Sequence, residues 1–512
     1  MSHAKTPPPS PAVIRILDLF AGPGGLDVAA DVLGYRITGI EWDEDACKTR
    51  AAAGMDTFQG DVRDYSAALF PHAQVLTGGP PCQTFTVAGH GAGRRALDDV
   101  LRYIERLHTA VRREGAKWED IVLTWQGISE ELAEKAVEAE KVKAEKREVE
   151  ALRSVERKAI KKSLQEHGSS TEEIKHILKT LRASKEIDLE DTNLKHLFED
   201  YSALGTRLKS LKDRLEELGD ERTGLVLQPL WWVIERSRRP ELEPYEAVVL
   251  EQVPAVLLVW EKYAEVLRTL GYRARTQLLH TEAFGVPQTR KRAVLMARLG
   301  GTDIPEVTET HERYRPRTVP ARSTATDQAN TLPWDMEGES SDRTPKEAWV
   351  SMETALKSAR GIAPDLPDRP AFTVVSNYGT GGDPGARGTR DHDAPSATIT
   401  GKVSRNRVVH KGTSTDLPDG FGRFTFAEAG VLQTFPVAYP WRGKDQPQQI
   451  GNAVPPRLAL HVLRHVLEPE LSAEEARTRL EQAINDLENW QPGEPVVVRS
   501  HGQWEGHPLT GR

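Results

Sequence analysis

Cysteine is scarce, with only Cys47 and Cys82 in 512 residues. Two thiols cannot build a disulfide framework or a cysteine-based zinc site, so a reducing, cytoplasmic setting is expected and no metal centre. A cysteine in an unusual context then becomes a candidate nucleophile. Long apolar runs are also missing. Nothing approaches the roughly 18 consecutive apolar residues of a membrane span, and no basic segment followed by an apolar one opens the chain, so no membrane partner is expected. Nor is there an excess of basic residues. The formal net charge is −8, which argues against a protein that coats nucleic acid by bulk electrostatics; any hold on DNA must be local.

The length allows several domains at roughly 100–200 residues each. Residues 1–12 are polar and proline-rich and are expected to be a disordered lead-in. From 13 to 100 short apolar runs alternate with helical stretches. Ile14 to Leu19, Arg36 to Ile40 and Val75 to Thr77 suggest strands, and Leu26 to Leu33 the helix behind the first. Such alternation predicts an α/β, Rossmann-like, doubly wound and mostly parallel sheet. Residues 101–219 are charged and helical instead. Leu194, Leu197, Tyr201, Leu204, Leu208, Leu211, Leu215 and Leu218 keep a three-four spacing, the seam of a coiled coil. Gly168-Ser169-Ser170 offers a break, so an antiparallel helical hairpin inserted into the α/β unit is the simplest arrangement. Alternation resumes over 220–300, with strands at Ala247 to Leu250 and Arg292 to Ala297 around a helix at Val259 to Leu270. Proline, glycine, threonine, arginine and aspartate predominate over 301–422, as in a smaller, loop-rich second domain. Residues 423–470 would close that domain and send a helix, Arg457 to Leu467, back to the first; 471–512 form a last helix and tail.

Two clusters carry chemistry. The first, Asp18-Leu19-Phe20-Ala21-Gly22-Pro23-Gly24-Gly25, follows a strand, and its glycines let the backbone turn tightly and approach a ligand. Glu41 ends the next strand, where a carboxylate can accept from ribose hydroxyls, and the neighbouring Trp42 can stack on an adenine. Asp61 follows where an adenine amine would be read. The second cluster is Gly78-Gly79-Pro80-Pro81-Cys82-Gln83-Thr84-Phe85-Thr86. Two prolines fix the backbone ahead of Cys82, so its sulfur can be held in one direction on an otherwise mobile loop. Arg387, Arg390, Lys402, Arg405, Arg407 and Lys411 form a locally basic stretch in the loop-rich second domain.

These clusters, in this order, resemble the C5-cytosine DNA methyltransferase family, whose signature loop reads Pro-Cys-Gln. Further elements agree in order: Leu250-Glu251-Gln252-Val253 resembles the family's Glu-Asn-Val, Gln288-Thr289-Arg290-Lys291-Arg292 its Gln-x-Arg-x-Arg, Leu432-Gln433-Thr434-Phe435-Pro436 its recognition-domain closure, and Gln449-Ile450-Gly451-Asn452-Ala453-Val454-Pro455-Pro456 its last motif. The resemblance implies methyl transfer from S-adenosyl-L-methionine to carbon 5 of a cytosine flipped out of double-stranded DNA, as in a restriction–modification or phage-defence system. Cys82 would add to C6, Glu251 would meet the charge on the ring, and Arg290 and Arg292 would hold the base carbonyl and the loop. Asp18, Phe20, Gly22, Gly24, Glu41, Trp42, Asp61, Pro81, Leu225 and Asn452 would line the cofactor site. Gln83, Thr86, Arg387, Arg390, Lys402, Arg405 and Arg407 would touch DNA.

The chain departs from the family at Gln252, which replaces the usual asparagine and alters the bracing near Glu251, and at the hairpin, expected to touch DNA or a partner protein of a restriction or defence system. Rival functions fit less well. No Asp/Asn-Pro-Pro-aromatic loop of exocyclic-amine methyltransferases occurs, and two-cysteine RNA enzymes would need a second active thiol, whereas Cys47 follows Trp42 on a helix. A tRNA-directed member of the same family and a catalytically silent DNA-binding scaffold are two more rivals; the size of the 301–422 span speaks against the first, and intact Cys82, Glu251, Glu41 and Arg292 against the second.

Overall fold

Ile16 to Leu19 are almost wholly buried, which is what a strand covered by helices on both faces requires. The computed structural model describes residues 13–81, 92–182, 192–218, 221–315, 345–376 and 388–503. The chain divides into two compact units, one made of Met1–Pro80 with Gln228–Arg512, the other of Pro81–Leu227.

In the first unit the strands are β1 (Arg15–Leu19), β2 (Arg36–Glu41), β3 (Thr57–Gln59), β4 (Val75–Gly78), β5 (Ala247–Gln252), β6 (Tyr272–His280) and β7 (Lys291–Leu299), followed by β8 (Phe372–Val375), β9 (Thr389–Asp391), β10 (Arg407–His410) and β11 (Arg499–Ser500). Eight of them form one sheet in the order β11-β3-β2-β1-β4-β5-β7-β6. All neighbours pair in parallel except β7, which runs antiparallel to both β5 and β6. The carboxyl ends of β1, β2, β4 and β5 therefore share one edge, with Leu19 paired to Ile40 and to Gly78, and Gly78 to Leu250. Gly25–Val32 and Pro456–Leu467 are helices of the main core, and the second packs on the first, on β5 and on Ala473–Glu488.

Residues 345–422 carry the helix Met352–Ile362 and the small antiparallel sheet β10-β8-β9. It is tied to the main sheet through Thr289, whose backbone N–H donates to the Ser396 carbonyl at 2.8 Å. After Ala473–Glu488 the chain returns along the main sheet: Trp490 donates through Nε1 to Asp31 at 2.8 Å, β11 pairs with β3, and the Arg499 guanidinium reaches Asp56 and lies over Phe58. His501 ends this strap against the Tyr65 ring and the Asp64 carbonyl.

The second unit is helical: Ala92–Arg112, Trp118–Glu166, Thr171–Arg182 and Thr192–Leu218, then a 3-10 turn at Glu221–Leu227. Ion pairs Arg207–Glu145 and Arg214–Glu138 advance along one helix as they retreat along the other, so the two long helices run antiparallel. Val142, Val149, Leu208 and Leu211 are buried in the seam, with Leu204, Leu215 and Leu218 packed against them. Its helical part begins at Ala92, nine residues ahead of the expected 101, and the break at 168–170 leads into Thr171–Arg182, a helix not foreseen. Among the described residues no helix is long and apolar enough to cross a membrane.

Candidate active site

The loop after β1 is shaped by backbone that only glycine adopts cheaply. Gly22 has φ 55° and Gly24 φ 104°, and Phe20 is held at φ 61°. A side chain at Gly22 would meet nothing within 4 Å, so that position opens on free space. A Cβ at Gly25 would lie 2.0 Å from the Val454 carbonyl oxygen, which shows how closely the last motif crosses the glycine loop. Asp18 lies beneath the loop, 1 % exposed. Its Oδ1 accepts from Thr77 Oγ1 at 2.6 Å, while Oδ2 is buried without a partner. Burial, with Asp27 adding to it, pushes this carboxyl up to about 8.

Glu41 ends β2. One of its oxygens accepts from the Gly22 N–H at 2.6 Å and the other from the Asp43 N–H at 2.7 Å. Burial raises its pKa against those two bonds. Each oxygen keeps a second lone pair for another donor. Trp42, beside it, is 66 % exposed. Asp61 stands at the head of the 3-10 turn Val62–Asp64, engaged by Arg63 Nε at 3.0 Å and Nη2 at 2.5 Å. Although partial burial raises its pKa, those bonds bring it below the usual carboxylate range. Asn452 is exposed at the end of Gln446–Asn452, its Oδ1 accepting from Gln448 at 2.9 Å.

At the end of β5, Glu251 pairs with Arg292 of β7, Oε1 to Nε at 2.6 Å, with each residue 8 % exposed. Burial lowers the pKa of Arg292 while Glu251 opposes that. Gly79 leaves room here, since a Cβ on it would stand 3.9 Å from Glu251 Oε2. Gln252 uses both ends of its amide: Nε2 donates to the Pro80 carbonyl at 2.6 Å, and Oε1 accepts from the Val253 N–H at 2.6 Å. Pro80, two residues ahead of Cys82 in the chain, is thus fixed to the strand end that carries Glu251.

Arg290 is placed differently from what its motif suggests. It is 3 % exposed and spends its guanidinium on backbone carbonyls, Nη1 on Ile399 at 3.1 Å and Gly451 at 2.9 Å, Nη2 on Ala453 at 3.3 Å. Burial, with Arg292 next, lowers its pKa well below the usual guanidinium value. Gln288 does related work. Its Nε2 donates to Gln433 Oε1 at 2.7 Å, its Oε1 accepts from the Ile399 N–H at 2.8 Å, and Gln433 passes the chain on to the Ile450 carbonyl at 2.7 Å. The Gln-x-Arg-x-Arg element is therefore one buried knot joining the start of β7 to Ile399, Gln433 and the last motif. Motif membership marked Gln288 and Gln433 without revealing this. Another buried contact had no sequence signal at all: Arg50 grips Asp27 with bonds of 2.8 and 2.6 Å in the shared core of the glycine loop and β2.

Cys82, Gln83, Thr86 and Arg387 lie outside the described residues. Pro81 and Leu225 belong to the helical unit, Leu225 buried on its closing 3-10 turn. Lys402 and Arg405 are exposed around the turn Val403–Arg405, Arg407 pairs with Asp416 at 2.5 Å, and Arg390 lies over the Tyr314 ring at 4.9 Å. The other cysteine is no rival: burial, with Glu41 next, pushes the Cys47 thiol up to about 12, and its Sγ faces the Glu41 carbonyl at 3.5 Å.

The family model for C-5 cytosine-specific DNA methylases matches residues 14–109 and 228–468, about two thirds of the chain. The chain belongs to that family. The match stops on either side of the helical hairpin and before Ala473–Glu488 and the strap. The chain is 30 % identical over 213 residues to the type II methyltransferase M1.HphI of Haemophilus parahaemolyticus, covering 40 % of this chain and 50 % of that protein. It is 26 % identical over 247 residues to the type II methylase M.HgiDII of Herpetosiphon aurantiacus, covering 44 % and 65 %. It thus spans about half to two thirds of the length of these curated relatives. Among solved structures, the S. pombe Dnmt2 methyltransferase aligns over 90 % of this chain and 100 % of that one, at 13 % identity and a TM-score of 0.43.

Proposed function

We propose that this C-5 cytosine-specific DNA methylase transfers a methyl group from S-adenosyl-L-methionine to carbon 5 of cytosine within a specific duplex DNA sequence, with Cys82 as covalent nucleophile. One observation carries the reading most directly: Glu251, paired with Arg292, stands beside Gly79 and the Gln252-anchored Pro80 at the same sheet edge as the glycine loop.

The residues at that edge fit the donor. Gly22 opens on free space, Glu41 has a lone pair left on each oxygen for ribose hydroxyls, and Trp42 offers an exposed ring for adenine. S-adenosyl-L-methionine bound there supplies an electrophilic methyl group. The chain supplies the rest. Cytosine C5 is a poor nucleophile, so addition of the Cys82 thiolate to C6 must first push an electron pair from the C5–C6 bond onto C5 and the adjoining ring nitrogen and carbonyl. Glu251 holds a proton at ring N3 and so limits the charge that accumulates there. Arg292 keeps the Glu251 carboxyl oriented. After alkylation a base removes the C5 proton, and the returning electron pair expels the Cys82 sulfur. Arg290 and Gln288 hold the recognition domain against β7 and the last motif. The target base must leave the helix, at about a few kcal/mol for unstacking.

The matched relatives are named type II methyltransferases, which supports a place in a restriction–modification system. Bisulfite sequencing of DNA from cells expressing the chain tests the whole reading. Protected cytosines recurring in one short sequence, and lost with Cys82→Ala, are expected; full conversion with the intact chain refutes it.

A further inference from the structure

The long helix Trp118–Glu166 changes its charge along its length. Residues 118–152 hold ten acidic and five basic side chains, whereas residues 153–166 hold two acidic and five basic ones. In the first stretch the cations are matched within the unit: Lys135 with Asp99, Lys141 with Glu138, Lys143 with Glu140, and Lys146 with Glu150. In the second only two of the five are engaged among the described residues. Arg153 is committed to the Tyr201 ring at 4.4 Å, and Lys162 has Glu166 at 3.8 Å. Arg157, Lys158 and Lys161 are exposed, and among the described residues no carboxylate lies within ion-pair distance of any of them.

Arg157 and Lys161 stand four residues apart and Lys158 three residues before Lys161, so the three side chains form one continuous patch over little more than one turn. Their platform is firm, because the other side of the same turns packs Ile160 and Leu164 against Ile174, Leu178, Phe198 and Tyr201. At about 1.5 Å per residue the patch lies roughly 60 Å along the helix from Trp118. Among the described residues, Ala92–Arg112 is tied to the near part of that helix at Glu131 and Lys135.

We propose that Arg157, Lys158 and Lys161 form a docking surface for the phosphate backbone of DNA flanking the recognised site. A row of cations with no carboxylate partner among the described residues, on a packed helix end in a chain of net charge −8, fits a polyanion of regular phosphate spacing. The patch carries no base-reading geometry, so it supplies affinity and not sequence choice. This rests on the reading that the chain acts on duplex DNA.

The test uses the full chain with Arg157→Gln, Lys158→Gln and Lys161→Gln combined, and a control with Lys141→Gln, Lys143→Gln and Lys146→Gln, where the cations are already paired. Binding is measured to a duplex of about 12 base pairs containing the mapped site and to one of about 40 with the same site near its centre, across roughly 50–200 mM salt. The intact chain should bind the longer duplex more tightly. The patch variant should lose about tenfold on it, with a log–log salt slope shallower by about 2–3, and keep its affinity and turnover on the short one. The control should match the intact chain on both. Equal affinity and slope for variant and intact chain on the longer duplex overturn the proposal, as does an equal loss on both lengths. Failure of the intact chain to methylate either duplex counts instead against the function proposed above.

Discussion

Replacing Arg290 with methionine should cost stability before it costs chemistry. The guanidinium satisfies three buried carbonyls, those of Ile399, Gly451 and Ala453, at 3.1, 2.9 and 3.3 Å. A hydrogen bond from a charged donor is worth about 1.5–3 kcal/mol, and a buried carbonyl left bare costs about 1–3 kcal/mol. Against this, methionine removes a buried cation whose own desolvation is unfavourable, as its lowered pKa records. The net expectation is about 3–4 kcal/mol, a fall of roughly 5 °C or more in the melting temperature of the unit. Arg290→Lys keeps the charge but not the fork, so about half that loss should remain. Thermal unfolding by calorimetry, run beside methyl transfer at a temperature where each variant is folded, separates the two roles. The reasoning is refuted if Arg290→Met leaves the melting temperature within about 1 °C yet lowers kcat a hundredfold, because the side chain would then act on the base and not as a brace.

Three other perturbations follow from the same geometry. Gln252→Leu removes the 2.6 Å bond that fixes Pro80 to the end of β5, and with it the 2.6 Å bond from the Val253 N–H that orients the amide; kcat should fall about tenfold with cofactor affinity unchanged, Gln252→Asn should fall between, and an unaltered kcat would speak against the anchor. Asp18 titrates near 8 instead of the ordinary 3.8, so its contribution to stability is complete below about pH 4 and is lost as the pH rises through about 8. Asp18→Asn should flatten the decline of the melting temperature between about pH 5 and 9, and parallel curves for the two proteins would contradict this. Truncation after Asn489 removes Trp490, β11 and His501 from the β3 edge and from the turn that carries Asp61; calorimetry should show S-adenosyl-L-methionine binding weakened about tenfold, about 1.4 kcal/mol, against an unchanged affinity if the strap is only a cover.

Much of the α/β frame could be read from the chain because buried parallel strands must be short apolar runs. The predicted positions of β1, β2, β4, β5 and β7 coincide with the strands to within two residues. β6 escaped because Arg273, Arg275 and Gln277 break the apolar run at a sheet margin, where one side of a strand is free to be polar. β11 is two residues, Arg499–Ser500, held only by the edge of β3, and no local pattern specifies it. The site shows the same division. Motif order indicated Glu251, Arg292 and the glycine loop, all set by strand ends. The acceptors of Arg290 lie 109 to 163 residues away in sequence, so its role as a brace could come only from tertiary structure.

The covalent step proposed for Cys82 is open to direct test. Duplex DNA carrying 5-fluorocytosine at the mapped target, incubated with the chain and S-adenosyl-L-methionine, cannot release the sulfur after methylation, because fluorine replaces the C5 proton that must leave. A protein–DNA adduct stable to denaturing electrophoresis, dependent on the cofactor, abolished by Cys82→Ala and retained by Cys47→Ala, is the predicted result. An adduct that survives Cys82→Ala, or none from a chain that still methylates normal DNA, would contradict the account.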